Sequence, residues 1–206
     1  MPLLPEIRLH LITEACSLWR GTEQDIDALG MPLPFWAFCW PGGQALARHV
    51  LDHPELVRGK RVLDFGCGGA VEAIASGLAG ASHVLASDLD PFALESTRLN
   101  AELNGTSLET TADDLVGHPG DWDVVLAGDV FYEATSVGPT LAWLRGLAQN
   151  GARVLIGDPD RGFLPSDREA CGLRRSGTYN CGVDGDVSGQ LCRETTIWQV
   201  VPSLGL

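Results

Sequence analysis

Four acids in this chain each end or follow a short apolar run: Asp64 in RVLDF, Asp88 after HVLAS, Asp129 after WDVVLAG and Asp158 after ARVLIG. Apolar runs of that length read as buried strands. If the strands are parallel, their ends share one rim, which is where such sheets bind ligands. A row of carboxylates there is a poor seat for a pyrophosphate and a good one for hydroxyls and cations. Directly after the first acid the chain breaks into glycines, in VLDFGCGGA, Val62 to Ala70. Glycines at a strand-to-helix turn let a ligand approach the backbone closely.

The ligand is not a dinucleotide by this reading. The spacing is G-x-G-G-A, not G-x-G-x-x-G, and Asp64 would put a carboxylate beside the phosphates. No G-x-x-x-x-G-K-[ST] phosphate loop is present. S-adenosylmethionine carries a sulfonium, an ammonium, a ribose and an adenine, and suits acids better. The glycines then let the backbone approach its methionine end closely. Asp88, 24 residues beyond Asp64, accepts from the ribose hydroxyls. Leu89 lies against the adenine, and Asp113 or Asp114 accepts from its amino group.

A second constellation is GDVFYE, residues 128–133. A carboxylate, Asp129, beside Phe131 and Tyr132 can hold an amine by charge and by cation–π contact. Asp129 is a poor base for a lysine, whose reference pKa is ~10.4. A nearby carboxylate also favours the protonated amine. Its expected role is to orient the amine and stabilise developing positive charge. PFWAFCW, residues 34–40, reads as a lid or a wall of the cofactor pocket, with Trp36 and Trp40 facing it. Arg161, in GDPDR, is expected to pair a nearby acid. Cys67, near a helix N-terminus, sits where a thiol pKa can be lowered.

These residues need a scaffold, and the rhythm of the chain describes one. RVLDF, HVLAS, SLETTA (107–112), WDVVLAG (122–128) and ARVLIG (152–157) read as strands. Helices are expected over QALARHVLDH, Val71–Leu78, from Pro91 to Gly105, and at 136–149. Asp90 is the N-cap of the third and Gly105 its terminator. A short helix is expected near Ser166–Gly172, another at 22–29, and a short strand at EIRLHLI, residues 6–12. Two β-prone pieces within 174–201 flank a Gly/Asp-rich link too short for a crossover helix, so they form an antiparallel hairpin. The fold class is α/β: a doubly wound, mostly parallel sheet with a C-terminal antiparallel hairpin.

Bulk properties narrow the function. The chain has 206 residues, 45% apolar and 20% charged, which suits a single packed domain. Its formal charge of −13 argues against nucleic acid and suits a cationic substrate. No apolar run approaches the ~18 residues of a membrane span, and the N-terminus does not read as a signal peptide. Six scattered cysteines show no C-x-x-C pair, so neither a metal site nor a disulfide framework is expected; a reducing cytoplasm is. Lys60 is the only lysine. For an enzyme that modifies lysines, little of its own surface could react.

VLDFGCGGA, SDLDPFAL, LNAELNG, ADDL, LAGDVFYE and IGDP together resemble the seven-strand S-adenosylmethionine-dependent methyltransferases. More narrowly, PFWAFCWPGGQALARHVLD and the D-V-F-Y segment resemble the protein lysine methyltransferases that modify the β-subunit of electron transfer flavoprotein. The similarity runs from about Glu6 to Ile197. It implies a seven-stranded Rossmann-like sheet in one domain, with residues 1–43 as N-terminal extension and aromatic lid. It implies Asp64, Gly66, Gly68, Asp88, Asp113 or Asp114, and Trp40 around the cofactor, and a protein substrate. Asp129 and Tyr132 match the ends of the family's D-x-x-Y motif and would orient the target amine. Ala70 departs from the family's last loop glycine, which matters only if that position needs φ > 0. Methylation of a small, nicotinamide-like amine stays open at this point.

Overall fold

The computed structural model describes residues 1–12, 33–182 and 192–202. The expected helix at 22–29 and the 183–191 link lie outside them. Seven strands form one sheet: β1 (Arg61–Phe65), β2 (His83–Ser87), β3 (Glu109–Thr111), β4 (Val124–Gly128), β5 (Arg153–Asp158), β6 (Leu173–Gly182) and β7 (Cys192–Val200). Their order is β3-β2-β1-β4-β5-β7-β6. β1 to β5 pair in parallel, and β7 runs antiparallel to both β5 and β6. The expected sheet and hairpin are both present. SLETTA forms only the three residues of β3.

Period-two alternation splits the strands between two cores. Val62, Val124, Leu126 and Leu155 meet α1 (Pro41–Asp52) and α2 (Val71–Leu78) on one face. Leu63, Val125, Ala127, Val154 and Ile156 meet α4 (Ala134–Gln149) on the other. The order reverses between β1 and β4, so α2 and α4 leave on opposite faces and open a crevice at the strand ends. α3 (Pro91–Asn104) starts as expected, with the Asp90 carboxylate accepting from the Phe92 amide at 2.8 Å. It ends at Gly105, φ 65°.

Two expectations need correction. Residues 6–12 join no sheet. The amides of Arg8 and His10 donate instead to the side chains of Asn104 and Asn100, at 2.9 and 2.7 Å. The alternation is real, but one helical turn of α3 presents the acceptors a strand would have supplied. Residues 166–172 form turns, not a helix. Asp167 caps the Ala170 amide at 2.9 Å and Gly172 takes φ 72°, so the segment closes after one turn, too little to propagate.

The N-terminus of α1 presses on the strand ends through glycine on both sides. A Cβ on Gly157 would overlap the Gly42 carbonyl, and one on Gly128 would lie 2.7 Å from the Gly43 nitrogen. We predict that Gly157→Ala costs about 3 kcal/mol in urea unfolding. Gly146→Ala, inside α4 with open space around its Cβ, should instead gain about 1 kcal/mol.

Candidate active site

The crevice holds a cavity of about 40 Å³ at the β1/β4 switch, lined by Gly66 to Gly69, Glu72, Gly128 and Trp40 among others. Among the described residues, Glu72 is the only charged side chain in its lining. The loop is held from below and above. The Gly66 and Cys67 amides donate to the Ser87 carbonyl at 2.9 and 3.0 Å. Buried Asn100 donates to the Gly69 carbonyl at 3.0 Å. The 3-10 turn Phe35–Ala37 lies across the glycines, so that a Cβ on Gly69 would sit 3.2 Å from the Trp36 carbonyl. Ala70 takes φ 65°, so the departure from glycine falls where the backbone is left-handed.

The strand-end acids share the rim but not one role. Asp64 is fully buried. Its Oδ2 accepts from the Ala73 amide at 2.9 Å, capping α2, whose N-cap Ala70 has no polar side chain. Its Oδ1 is buried without a partner. Burial pushes the Asp64 carboxyl up to about 7. Asp88 accepts from the Gly68 and Asp90 amides at 2.9 and 3.0 Å, tying the glycine loop to the end of β2. Burial raises its carboxyl too. Asp158 closes a turn onto the Asp160 amide at 2.7 Å. Burial pushes the Cys67 thiol well up, the reverse of the sequence expectation, because no cation offsets its desolvation and Asp64 adds negative charge.

Asp129 lies deepest in the aromatic part of the site. It takes φ 55°, and its carboxylate accepts from the Gly42 amide at the start of α1. Arg161 grips the other oxygen through Nη2 and Nε, at 2.6 and 3.1 Å. Arg161 thus has the acidic partner expected of it. Burial raises the Asp129 carboxyl, with Arg161 and the α1 amides pulling the other way. The Arg161 guanidinium also stacks 5.3 Å over Trp40, whose indole N–H donates to the Phe35 carbonyl at 2.8 Å. Phe35 meets Tyr132 at 6.1 Å. The chain Asp129–Arg161–Trp40–Phe35–Tyr132 forms one wall, and Tyr132 is its exposed end.

Trp40, Gly66 and Gly68 line the cavity, with Asp64 buried beside them. Leu89 is 67% exposed. Asp113 and Asp114 are exposed and hold local turns, through the Thr111 hydroxyl at 2.8 Å and the Val116 amide at 3.0 Å. Two buried residues escaped sequence reasoning. Asn100 had a signal, the Asn pair four apart in LNAELN. Glu72 had one as well, as the only charged residue of α2.

The solved magnesium protoporphyrin IX methyltransferase of Synechocystis, with bound S-adenosylmethionine, shares this fold at a TM-score of 0.57, 20% identical over 79% of this chain and 80% of its own. The ribosomal protein L11 methylase of Lactobacillus delbrueckii subsp. bulgaricus matches at 0.54, 21% identical, over 76% and 77%. The family profile of ribosomal protein L11 methyltransferase matches residues 45–130. Sheet order, glycine loop and strand-end acids give this chain the fold of these solved methyltransferases. The residues present fit S-adenosylmethionine: the glycine loop leaves a cavity lined by Glu72, with Asp64 buried nearby and Asp88 at the end of β2.

The electron transfer flavoprotein beta subunit lysine methyltransferase of Xenopus laevis is 42% identical over 204 residues, 98% of this chain and 82% of that protein. The human protein of that name is 42% identical over 162 residues, 77% of this chain and 61% of its own. The chain belongs to the electron transfer flavoprotein beta subunit lysine methyltransferase family.

Two predictions follow from this geometry. A carboxyl that titrates higher when folded stabilises the fold while protonated. That contribution is full below the unfolded value near ~4 and is lost as pH rises toward about 7. Asp64→Asn should flatten the fall in unfolding free energy across that window, measured by denaturant titration at stepped pH. At residue 70, glycine relieves a left-handed strain of about 1–2 kcal/mol but loses a buried methyl worth about 0.8 kcal/mol. Ala70→Gly should therefore shift stability by less than about 1 kcal/mol. Ala70→Val should cost more than about 2 kcal/mol, by the same assay.

Proposed function

We propose that this enzyme transfers the methyl group of S-adenosylmethionine to a lysine of a protein substrate, the electron transfer flavoprotein beta subunit. The observation that carries the reading is the wall from Asp129 to Tyr132. It leads from the buried glycine cavity to an exposed aromatic rim, an approach suited to a long side chain. The net charge of −13 favours a cationic target. Lys60, the only lysine, precedes β1 at the opposite end of the sheet, so it does not compete within the same molecule.

The cofactor, when bound, supplies an electrophilic methyl for in-line attack by a neutral amine. The protein contributes alignment and desolvation. A lysine entering between Phe35, Trp40 and Tyr132 loses water, which lowers its pKa and releases the nucleophile. Asp129 is already held by Arg161 and α1. It acts by fixing Arg161 and Trp40, and by placing negative charge beneath the amine as that becomes positive. Tyr132 projects to the rim, and among the described residues its hydroxyl has no hydrogen-bond partner. That hydroxyl is available to orient the amine.

Free thiols at Cys67 and Cys171 support a reducing, cytoplasmic setting. No described helix is long and apolar enough to cross a membrane.

The test is transfer of labelled methyl to purified electron transfer flavoprotein, to a lysate and to nicotinamide, with the modified residue located by mass spectrometry. Label on lysine of the beta subunit is the expected result. Label on nicotinamide alone would favour the small-molecule reading. Cofactor binding without transfer to any acceptor would reduce the chain to a binding protein. Tyr132→Phe should cut turnover by ~10²-fold with cofactor affinity unchanged in calorimetry. Asp129→Asn should lose turnover and about 3 kcal/mol of stability together, because Arg161 is left half-buried and unpaired.

A further inference from the structure

Glu72 is out of place in α2. The helix reads VEAIASGL, and Glu72 is its only charged residue, 4% exposed. Its carboxyl group lies between two chain segments where only glycine leaves room. A Cβ on Gly43 would come 3.2 Å from Oε2, and one on Gly128 would overlap Oε1. Glu72 lines the 40 Å³ cavity, facing Gly66, Gly68 and Trp40. The Gly128 amide and its own amide donate to it. Among the described residues no lysine, arginine or histidine pairs with it; Arg161, the nearby cation, is committed to Asp129.

Asp64 is a second, independent observation. It is fully buried next to the glycine loop, and its Oδ1 has no hydrogen-bond partner. Each unpaired carboxylate buried this way costs several kcal/mol. Burial raises both carboxyls, Glu72 well above the usual range; Asp64 repels Glu72, and Asp88 repels Asp64. Asp129, from the end of β4, adds to the repulsion. A fold that lines a cavity with one such carboxyl, Glu72, and buries a second, Asp64, close enough to repel it is complementary to a cation.

We propose that Glu72, backed by Asp64, seats the α-ammonium of the cofactor's methionine end. Glu72 thereby becomes a binding residue, on a helix position that carries no polar signal in the rest of α2. The inference rests on S-adenosylmethionine as the cofactor. Burial favours the protonated form of Glu72 in the free protein, so forming the ion pair with the ammonium releases a proton to solvent.

The experiment is calorimetry on the full chain with two ligands. S-adenosylhomocysteine carries the ammonium; 5′-methylthioadenosine keeps the adenosine and thioether but lacks the amino-acid end. Glu72→Gln should weaken S-adenosylhomocysteine at least tenfold and leave 5′-methylthioadenosine within twofold. Titration in two buffers of different ionisation enthalpy near neutral pH should show proton release on S-adenosylhomocysteine binding by the wild type, and less by Glu72→Gln. If Glu72→Gln does not fold, Glu72→Met, apolar and of similar length, carries the same expectation. Unchanged S-adenosylhomocysteine affinity, or equal weakening of both ligands, would overturn the seat. Wild-type protein that binds neither ligand would overturn the cofactor assignment, and the seat with it.

Discussion

A carboxylate at the end of one element caps the N-terminus of another, and the active site depends on that interaction. Asp129, just past β4, accepts from the first amides of α1 and holds Arg161 with its other oxygen. Asp64, within β1, does the same for α2 through the Ala73 amide. Neither helix has an N-cap side chain of its own: Trp40 and Ala70 occupy those positions. Each helix therefore finds its acceptor only when the sheet is assembled. The capping geometry brings Gly42 and Gly43 against Gly128 and Gly157, and this close approach closes the cavity on one side. Removing either acid would free a helix end and open the crevice together.

The site grades from dry and anionic to wet and aromatic. At the deep end Asp64 and Glu72 are buried with carboxyls raised by desolvation. Farther out, Asp88 joins the glycine loop to β2, and Leu89, Asp113 and Asp114 lie exposed. On the other side Trp40 and Phe35 lead to Tyr132 at the surface. The gradient fits a cofactor whose cationic head is buried and whose nucleoside is accessible. It also fits an amine that must shed water before it reacts. The buried acids destabilise the free fold as pH rises, so part of the cost of this arrangement falls on its stability.

Much of the architecture was legible in the chain. The strands from RVLDF to ARVLIG, the Asp90 cap, the Gly105 stop and the terminal hairpin rest on local patterns, and they stand as read. Errors came where local pattern and pairing partner diverge. EIRLHLI alternates like a strand, yet its amides go to Asn100 and Asn104 on a helix. The 166–172 segment has a cap and a stop but too few residues between them. Asp64, Asp88, Asp129 and Asp158 were recognisable as one rim because strand ends in a parallel sheet must gather there.

By itself the sequence determined the sheet, its acid rim, the glycine turn and the family, because hydrophobic period, caps and motif order are local properties of a chain. Only the tertiary structure decided what each acid does. It assigned Asp129 to Arg161 and a helix end, left one oxygen of Asp64 unpartnered, and turned Glu72 from a helix residue into part of a cavity wall. It also placed Ala70 at φ 65°, a strain invisible in its letter. The reason is physical. A carboxylate's role is set by its partners and its burial, and both come from residues tens of positions away that only the folded sheet brings within hydrogen-bond distance.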